Sequence, residues 1–290
     1  MNAALNKSAQ KIAAVLIGIV AVFYLSACSY LWARQSRYIF SPATVLRNTP
    51  ADRGLAFEDV YLTVYTQGNQ PERLHAWWVP APNDSGRTLL YLHGSALNIG
   101  ANVTHVKRFH KLGFSVFIIS YRGYGKSDGS FPTEAQVNED AEAAWHYLTN
   151  DRQIDPAQIV IYGHSLGGAV GIQLALNHPQ AGGLIVEATF TSIYDMAMLK
   201  KTYSLFPIRL ILDQHFDSLS KVDRLSLPVL FMHGTADNLV PADMSRELYA
   251  RANPPKRLTL IPGGGHNNSA AVGGQLYLDA VQDFADTAIY

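Results

Sequence analysis

The 290-residue chain has a single cysteine, Cys28. That excludes an intrachain disulfide and any zinc site built on clustered thiolates. There is no charge surplus, since Lys plus Arg and Asp plus Glu both number 23. Binding nucleic acid takes a basic excess to neutralise phosphates, so no nucleic-acid partner is expected. Charge is sparse altogether, at 16% of residues, against about 25% in an average soluble protein. Internal repeats, low-complexity tracts and His/Asp clusters at local metal-ligand spacing are all missing, so no metal site is expected. Hydrophobic residues make up 48%, which excludes extended disorder. The length supports a large buried core, as one big α/β domain or two smaller ones.

The first 34 residues carry a membrane signal. Lys7 and Lys11 precede an uncharged run from Ile12 to Ala33, long enough for a bilayer core that takes about 20 residues. Two readings fit. One is an uncleaved single-pass anchor, although Arg34 and Arg37 at the far end weaken the charge asymmetry that would orient it. The other is a secretory signal with its apolar region from Ile12 to Tyr24. There Leu25-Ser26-Ala27-Cys28 resembles a bacterial lipoprotein cleavage box, with Cys28 as the lipidated residue. Both readings place the folded part at a membrane surface, outside the cytoplasm. Residues 35–56, broken by Pro42 and Pro50, read as a linker, and residues 57–290 as the folded domain.

From Phe57 the pattern turns regular. Phe57–Tyr65 and Leu74–Val79 read as strands joined by a turn at Gln67-Gly68-Asn69. Short apolar runs follow at Thr88–Leu92, Phe114–Ser120, Ile159–Tyr162, Gly183–Val186, Pro228–Met232 and Leu258–Ile261. Helical spacing fills the gaps at Ala101–Leu112, Glu134–Thr149, Leu166–Asn177, Met244–Ala252 and Leu276–Ala285. Strands apolar on both faces suit a parallel sheet covered by helices on both sides. The expected class is α/β, mainly parallel, with the first strands antiparallel. Residues 189–223 lack a strand and read as a short helical cap.

Gly163-His164-Ser165-Leu166-Gly167 lies between a predicted strand and a predicted helix, the context that gives Gly-x-Ser-x-Gly its meaning. The glycines let a sharp turn pack, and the turn presents Ser165 at the sheet's carboxyl edge. A hydroxyl nucleophile needs a base, and the base needs an orienting group. His266, in the glycine-rich loop after the last strand, can reach back over that edge. His93 and His164 are its rivals and read as structural. Asp237, in His233-Gly234-Thr235-Ala236-Asp237, follows a buried strand between Ser165 and His266. Asp195 is the second choice, while Asp217 and Asp223 read as caps or surface charges. Charge developing on a carbonyl oxygen calls for preorganised N–H donors. Leu166, directly after the nucleophile, and Ser95, after the strand Thr88–Leu92, are the candidates for this oxyanion hole, with Ala96 as the alternative to Ser95. Gly123-Tyr124-Gly125-Lys126-Ser127-Asp128-Gly129 has the wrong spacing for a dinucleotide fingerprint and reads as a turn.

Tyr91-Leu92-His93-Gly94-Ser95, Ser120-Tyr121-Arg122-Gly123-Tyr124-Gly125-Lys126-Ser127-Asp128-Gly129, the elbow Gly163–Gly168, His233–Asp237 and Gly265-His266 occur in an order that resembles the α/β-hydrolase superfamily. The pattern is most similar to small membrane-anchored serine hydrolases of the bud-emergence and abhydrolase-domain kind. The resemblance runs from Phe57 to Ala285. It implies the α/β-hydrolase fold with an eight-stranded sheet, a Ser-Asp-His triad and no cofactor. Two departures stand out: Ser95-Ala96-Leu97-Asn98 where that group often has Asn-Ala-Gly-Asn, and Phe131 as an apparent insertion. The expected activity is hydrolysis of a small-molecule ester or related acyl bond through an acyl-enzyme. A peptidase or thioesterase on the same residues is the nearest alternative. A catalytically silent binding protein is the alternative from another class. Fold alone does not give substrate, and the oligomeric state is left open.

Overall fold

The structure is a computed structural model that describes residues 2–66, 68–83 and 86–288, with side chains from residue 8 onward. Gln67 of the expected turn and the side chain of Lys7 lie outside the described residues. Eight strands form the main sheet: β1 (Glu58–Tyr65), β2 (Pro71–Val79), β3 (Thr88–Leu92), β4 (Ser115–Ile119), β5 (Ile159–His164), β6 (Gly183–Glu187), β7 (Val229–Gly234) and β8 (Lys256–Ile261). Their spatial order is β1-β2-β4-β3-β5-β6-β7-β8. β1 pairs antiparallel with β2, and β2 antiparallel with β4. All later neighbours are parallel.

The parallel strands are buried because both sheet faces are covered. Along β3, Leu90 and Leu92 point into one core while Leu89 and Tyr91 point into the other. This period of two, with both phases apolar, is what makes such a strand read as an unbroken hydrophobic run. The covering helices are α3 (Val103–Lys111), α4 (Glu134–His146), α5 (Leu166–Asn177), α8 (Ala242–Arg251) and α10 (Gln275–Ala288), with the short α9 (Ser269–Gly273) ahead of α10. α4 opens on a capping box in which Thr133 and Gln136 satisfy each other's backbone N–H. It ends three residues earlier than the periodicity predicts, in a π-helical turn over Tyr147–Asp151. The cap lies between β6 and β7 and contains α6 (Ile193–Met198) and α7 (Ile208–Ile211).

Before the sheet come α1 (Asn2–Ala33) and α2 (Gln35–Ile39). Within α1, Ser8–Ala33 is the one helix among the described residues long and apolar enough to cross a membrane, and nearly all of it is uncovered by protein. The expected linker at 35–56 is corrected by the structure, because these residues are built into the domain. Gln35 donates to the Ile211 carbonyl at 2.9 Å and accepts from the Asp213 N–H at 2.9 Å. Phe40 is fully buried and meets Phe216 edge-on. Ser41 and Pro42 pair parallel with Ala96 and Leu97 in a two-stranded ribbon. Asn98 donates to the carbonyls of Ala43 and Val45, both at 2.9 Å. A composition rich in turn residues conceals these contacts, since their partners lie up to about 180 residues away in the chain.

Candidate active site

The parallel register brings several strand ends to one edge. Leu92 sits opposite Gly163, His164 opposite Glu187, and Gly234 opposite Ile261. The loops that leave these ends therefore converge, as expected for a crevice at the carboxyl edge of an open α/β sheet.

Ser165 joins β5 to α5 in a positive-φ conformation, φ 54° and ψ −120°. For a residue with a side chain, such a backbone stores about 1–3 kcal/mol and persists only where its surroundings enforce it. The neighbouring glycines do so by close approach. A Cβ on Gly163 would overlap the Gly167 carbonyl, and one on Gly167 would overlap the Leu92 carbonyl. The Ser165 N–H is held by the Glu187 carbonyl at 2.8 Å. The Ser165 carbonyl accepts from the Thr189 hydroxyl at 2.7 Å. The hydroxyl is thus fixed at the N-terminus of α5, where free N–H groups and the helix dipole favour negative charge.

His266 follows β8 and α9 follows it in turn. Its Nε2 is 3.0 Å from Ser165 Oγ and its Nδ1 is 2.7 Å from Asp237 Oδ2. Asp237 Oδ1 accepts the Leu239 and Val240 N–H groups at 2.8 and 2.9 Å. Burial works against a charge on Asp237. Hydrogen bonds from His233, His266 and the Val240 N–H outweigh it and hold the carboxyl well below the usual carboxylate range. An ionised Asp237 keeps the proton of His266 on Nδ1, leaving Nε2 free to accept from the serine hydroxyl. The structure thus brings together Ser165, His266 and Asp237, the three residues selected from the sequence.

The alternatives are occupied elsewhere. Asp195 accepts from the hydroxyls of Thr191 and Ser192 at the start of α6. Asp217 accepts the Ser220 N–H, and Asp223 pairs with Arg251. His93 is buried between Tyr121 and Tyr124, and burial pushes its pKa down to about 4.

Two further histidines support the site: His233, which the sequence reading passed over, and His164, which it read as structural without a partner. His233, at the end of β7, is fully buried with Nε2 near both Asp237 Oδ2 (3.2 Å) and the Val240 carbonyl (2.9 Å). Both are acceptors, so Nε2 carries the proton and Nδ1 accepts from Ser245 at 2.7 Å. His164 donates through Nε2 to the His266 carbonyl at 2.9 Å. Burial lowers its pKa and favours the neutral ring. His233 was visible only as a motif position, and nothing local in the sequence joins His164 to a carbonyl 102 residues away.

Ser95 and Leu166 flank Ser165 on the wall of one cavity of about 500 Å³. Leu166 opens α5, so its N–H has no partner within the helix. The Ser95 loop is pinned through its carbonyl, which accepts from the Tyr124 hydroxyl at 2.6 Å and the Ser41 N–H at 2.8 Å. The rest of the cavity is mostly apolar, with Phe190, Ile193 and Met196 from the cap side and Leu239 and Val240 from the Asp237 loop. Among the described residues no group of His, Cys, Asp and Glu side chains could hold a metal ion. Gly123 and Gly125 adopt positive φ in a turn, as the discounted glycine run implied.

A family model described as serine aminopeptidase, S33, matches residues 84–221 and 195–268. The alpha/beta hydrolase domain-containing protein WAV2 of Arabidopsis thaliana is 37% identical over 246 residues, 79% of this chain and 78% of that protein. Protein bem46 of Schizosaccharomyces pombe is 37% identical over 205 residues, 69% of this chain and 68% of that protein. The chain belongs to the α/β-hydrolase superfamily. This α/β hydrolase also shares its fold with an esterase of Pyrococcus furiosus, at a TM-score of 0.71 and 20% identity, over 87% of this chain and 98% of that one. The resemblance drawn from its sequence motifs therefore holds for both family and fold. The α/β hydrolase has the expected eight-stranded, mainly parallel sheet.

Proposed function

We propose that the protein is a serine hydrolase that cleaves an ester or related acyl bond, with Ser165 as nucleophile, His266 as general base and acid, and Asp237 as its orienting carboxylate. The observation that carries this reading is the unbroken relay from Ser165 Oγ through His266 to Asp237, with steps of 3.0 and 2.7 Å. Ser165 attacks the acyl carbon as His266 Nε2 takes its proton. The carbonyl oxygen gains the negative charge and is held by the N–H groups of Leu166 and Ser95. His266 then protonates the leaving alcohol, and an acyl-Ser165 ester remains. Water, deprotonated by the same nitrogen, releases the acid and restores the hydroxyl. Each oxyanion donor contributes about 3–4 kcal/mol to lowering the barrier.

The cavity favours an acyl group over a peptide amino end. An aminopeptidase needs a carboxylate to pair with the substrate ammonium. The cavity lining offers none, and its one charged residue is the cation Lys200. A fluorophosphonate probe should label the wild type and leave Ser165→Ala unlabelled. Labelling retained in that variant refutes the nucleophile. A chain-length series of nitrophenyl esters then measures how much acyl group the cavity takes.

For α1, the membrane-spanning anchor is the better supported of the two readings. The Tyr24 hydroxyl donates to the Leu205 carbonyl at 3.0 Å, and its ring stacks on Phe206. A chain cleaved before Cys28 would lose both contacts. Mass spectrometry of the mature N-terminus separates an intact α1 from a lipidated Cys28.

A further inference from the structure

The catalytic domain does not enclose the cavity beside Ser165 by itself. Leu31 at the end of α1, with Tyr38 and Ile39 of α2, forms part of its wall together with the cap. α1 also touches the cap further back along its length, where Tyr24 meets Leu205 and Phe206.

The depth of that contact can be worked out. The uncharged run Ile12–Ala33 holds 22 residues, about 33 Å of helix against a hydrocarbon core of about 30 Å. Tyr24 lies nine residues before Ala33, about 14 Å along the helix axis. A helix that spans the core therefore holds Tyr24 roughly 10 Å inside the boundary. The stretch of cap bonded to it lies at the same depth.

The outer face of the cap suits such a position. Leu199, Leu205 and Leu210 are 50%, 71% and 85% exposed, three large apolar side chains within one short stretch of the cap. From Met196 to Leu212 the only charged residues are Lys200, Lys201 and Arg209. From Tyr30 to Ile39 they are Arg34 and Arg37. All five cations are exposed, as are Trp32 and Tyr38. Apolar side chains set among aromatics and five cations, with Asp195 and Asp213 only at the two ends of the cap stretch, match a lipid layer carrying anionic headgroups. Leu199 belongs both to this face and to the cavity wall, so the face leads into the site.

We propose that the cap is immersed in the lipid layer beside α1 and that the cavity is loaded sideways from that layer. The substrate is then a long-chain acyl ester dissolved in the bilayer, drawn in between the end of α1 and the cap. This rests on the reading of Ser165 as an ester-cleaving nucleophile and of α1 as a spanning anchor.

The test uses the full chain in mixed phosphatidylcholine–phosphatidylglycerol vesicles. Leu205 and Leu210 lie outside the cavity lining, so they can be changed without touching the site. The fluorescence that Leu205→Trp adds over wild type should be quenched by lipids brominated on their acyl chains and spared by acrylamide. The Leu205→Asp/Leu210→Asp variant should stay within about twofold of wild type on nitrophenyl butyrate in water and fall about tenfold or more on nitrophenyl palmitate in the bilayer. Quenching by acrylamide alone overturns the proposal, and so does an equal effect, or none, on the two esters. The tryptophan reports immersion whether or not chemistry occurs. Turnover of both esters by Ser165→Ala would instead remove the hydrolase reading and leave the immersion result standing.

Discussion

Replacing Asp237 with Asn tests the relay at its most constrained point. The carboxylate faces four donors. Oδ1 takes the backbone N–H groups of Leu239 and Val240, and Oδ2 takes the ring N–H groups of His266 and His233. An amide has only one oxygen to offer. The backbone pair cannot turn away, so the oxygen stays with Leu239 and Val240 and the NH2 group faces His266 Nδ1. His266 must then shift its proton to Nε2, where it points at Ser165 and can no longer accept the hydroxyl proton. The same exchange in a comparable Ser-His-Asp triad lowers turnover about 10⁴-fold, roughly 5 kcal/mol at 1.36 kcal/mol per decade. His233 loses one acceptor and keeps the Val240 carbonyl, so the stability cost should be about 1–3 kcal/mol and the protein should still fold. The assay is turnover of nitrophenyl butyrate, with the rate of fluorophosphonate labelling as an independent measure and urea unfolding as the check on folding. A folded Asp237→Asn protein within tenfold of wild type would refute the tautomer argument.

Three further outcomes are expected. Gly163→Ala puts a methyl group into the Gly167 carbonyl and should cost about 3 kcal/mol or more in urea unfolding, since backbone atoms must move. A normal unfolding midpoint would show that the elbow is not rigid. His164→Phe strands the His266 carbonyl; kcat should fall about tenfold with KM little changed, from a misplaced ring. Equal loss in KM would point to a damaged cavity instead. His93, with its pKa pushed down to about 4 by burial, stays neutral in the fold while the unfolded chain takes up a proton below about pH 6.5. Stability should therefore drop as pH falls from 6.5 towards 4, by up to roughly 3 kcal/mol from this group. Urea unfolding at pH 7 and pH 5 should show a smaller decline in His93→Asn than in wild type, and identical declines would contradict the assignment.

The legible parts of the site were those encoded by local constraint. The elbow demands glycine at Gly163 and Gly167 because backbone atoms pass too close for a side chain, and that demand is written within five consecutive residues. Asp237 and His266 could be chosen because each follows a run apolar on both faces, and parallel strands deliver such loops to one edge. The sheet was legible for the same reason, to within one or two residues at most strand ends. What stayed hidden depends on contacts distant in sequence. Gln35 looks like any polar linker residue until the Ile211 carbonyl and Asp213 N–H are found on either side of it. Leu31 and Tyr38 give no sign in the sequence that they wall a cavity formed mainly more than 150 residues later. The role of His233 emerges only once Val240 folds back over it.

The stitching of residues 35–48 ties the N-terminal helices to the loop after β3. Ser41 grips the carbonyl of Ser95, and Asn98 clamps the chain at Ala43 and Val45. A tethered enzyme with a floppy leash can sweep a hemisphere of solution and choose targets at many heights. With α1 as the proposed spanning anchor, its upper end, Leu31, would be both tether and wall of the cavity beside Ser165. On that reading the site would work in a single fixed plane, so selectivity would come from where a molecule is held as much as from its shape.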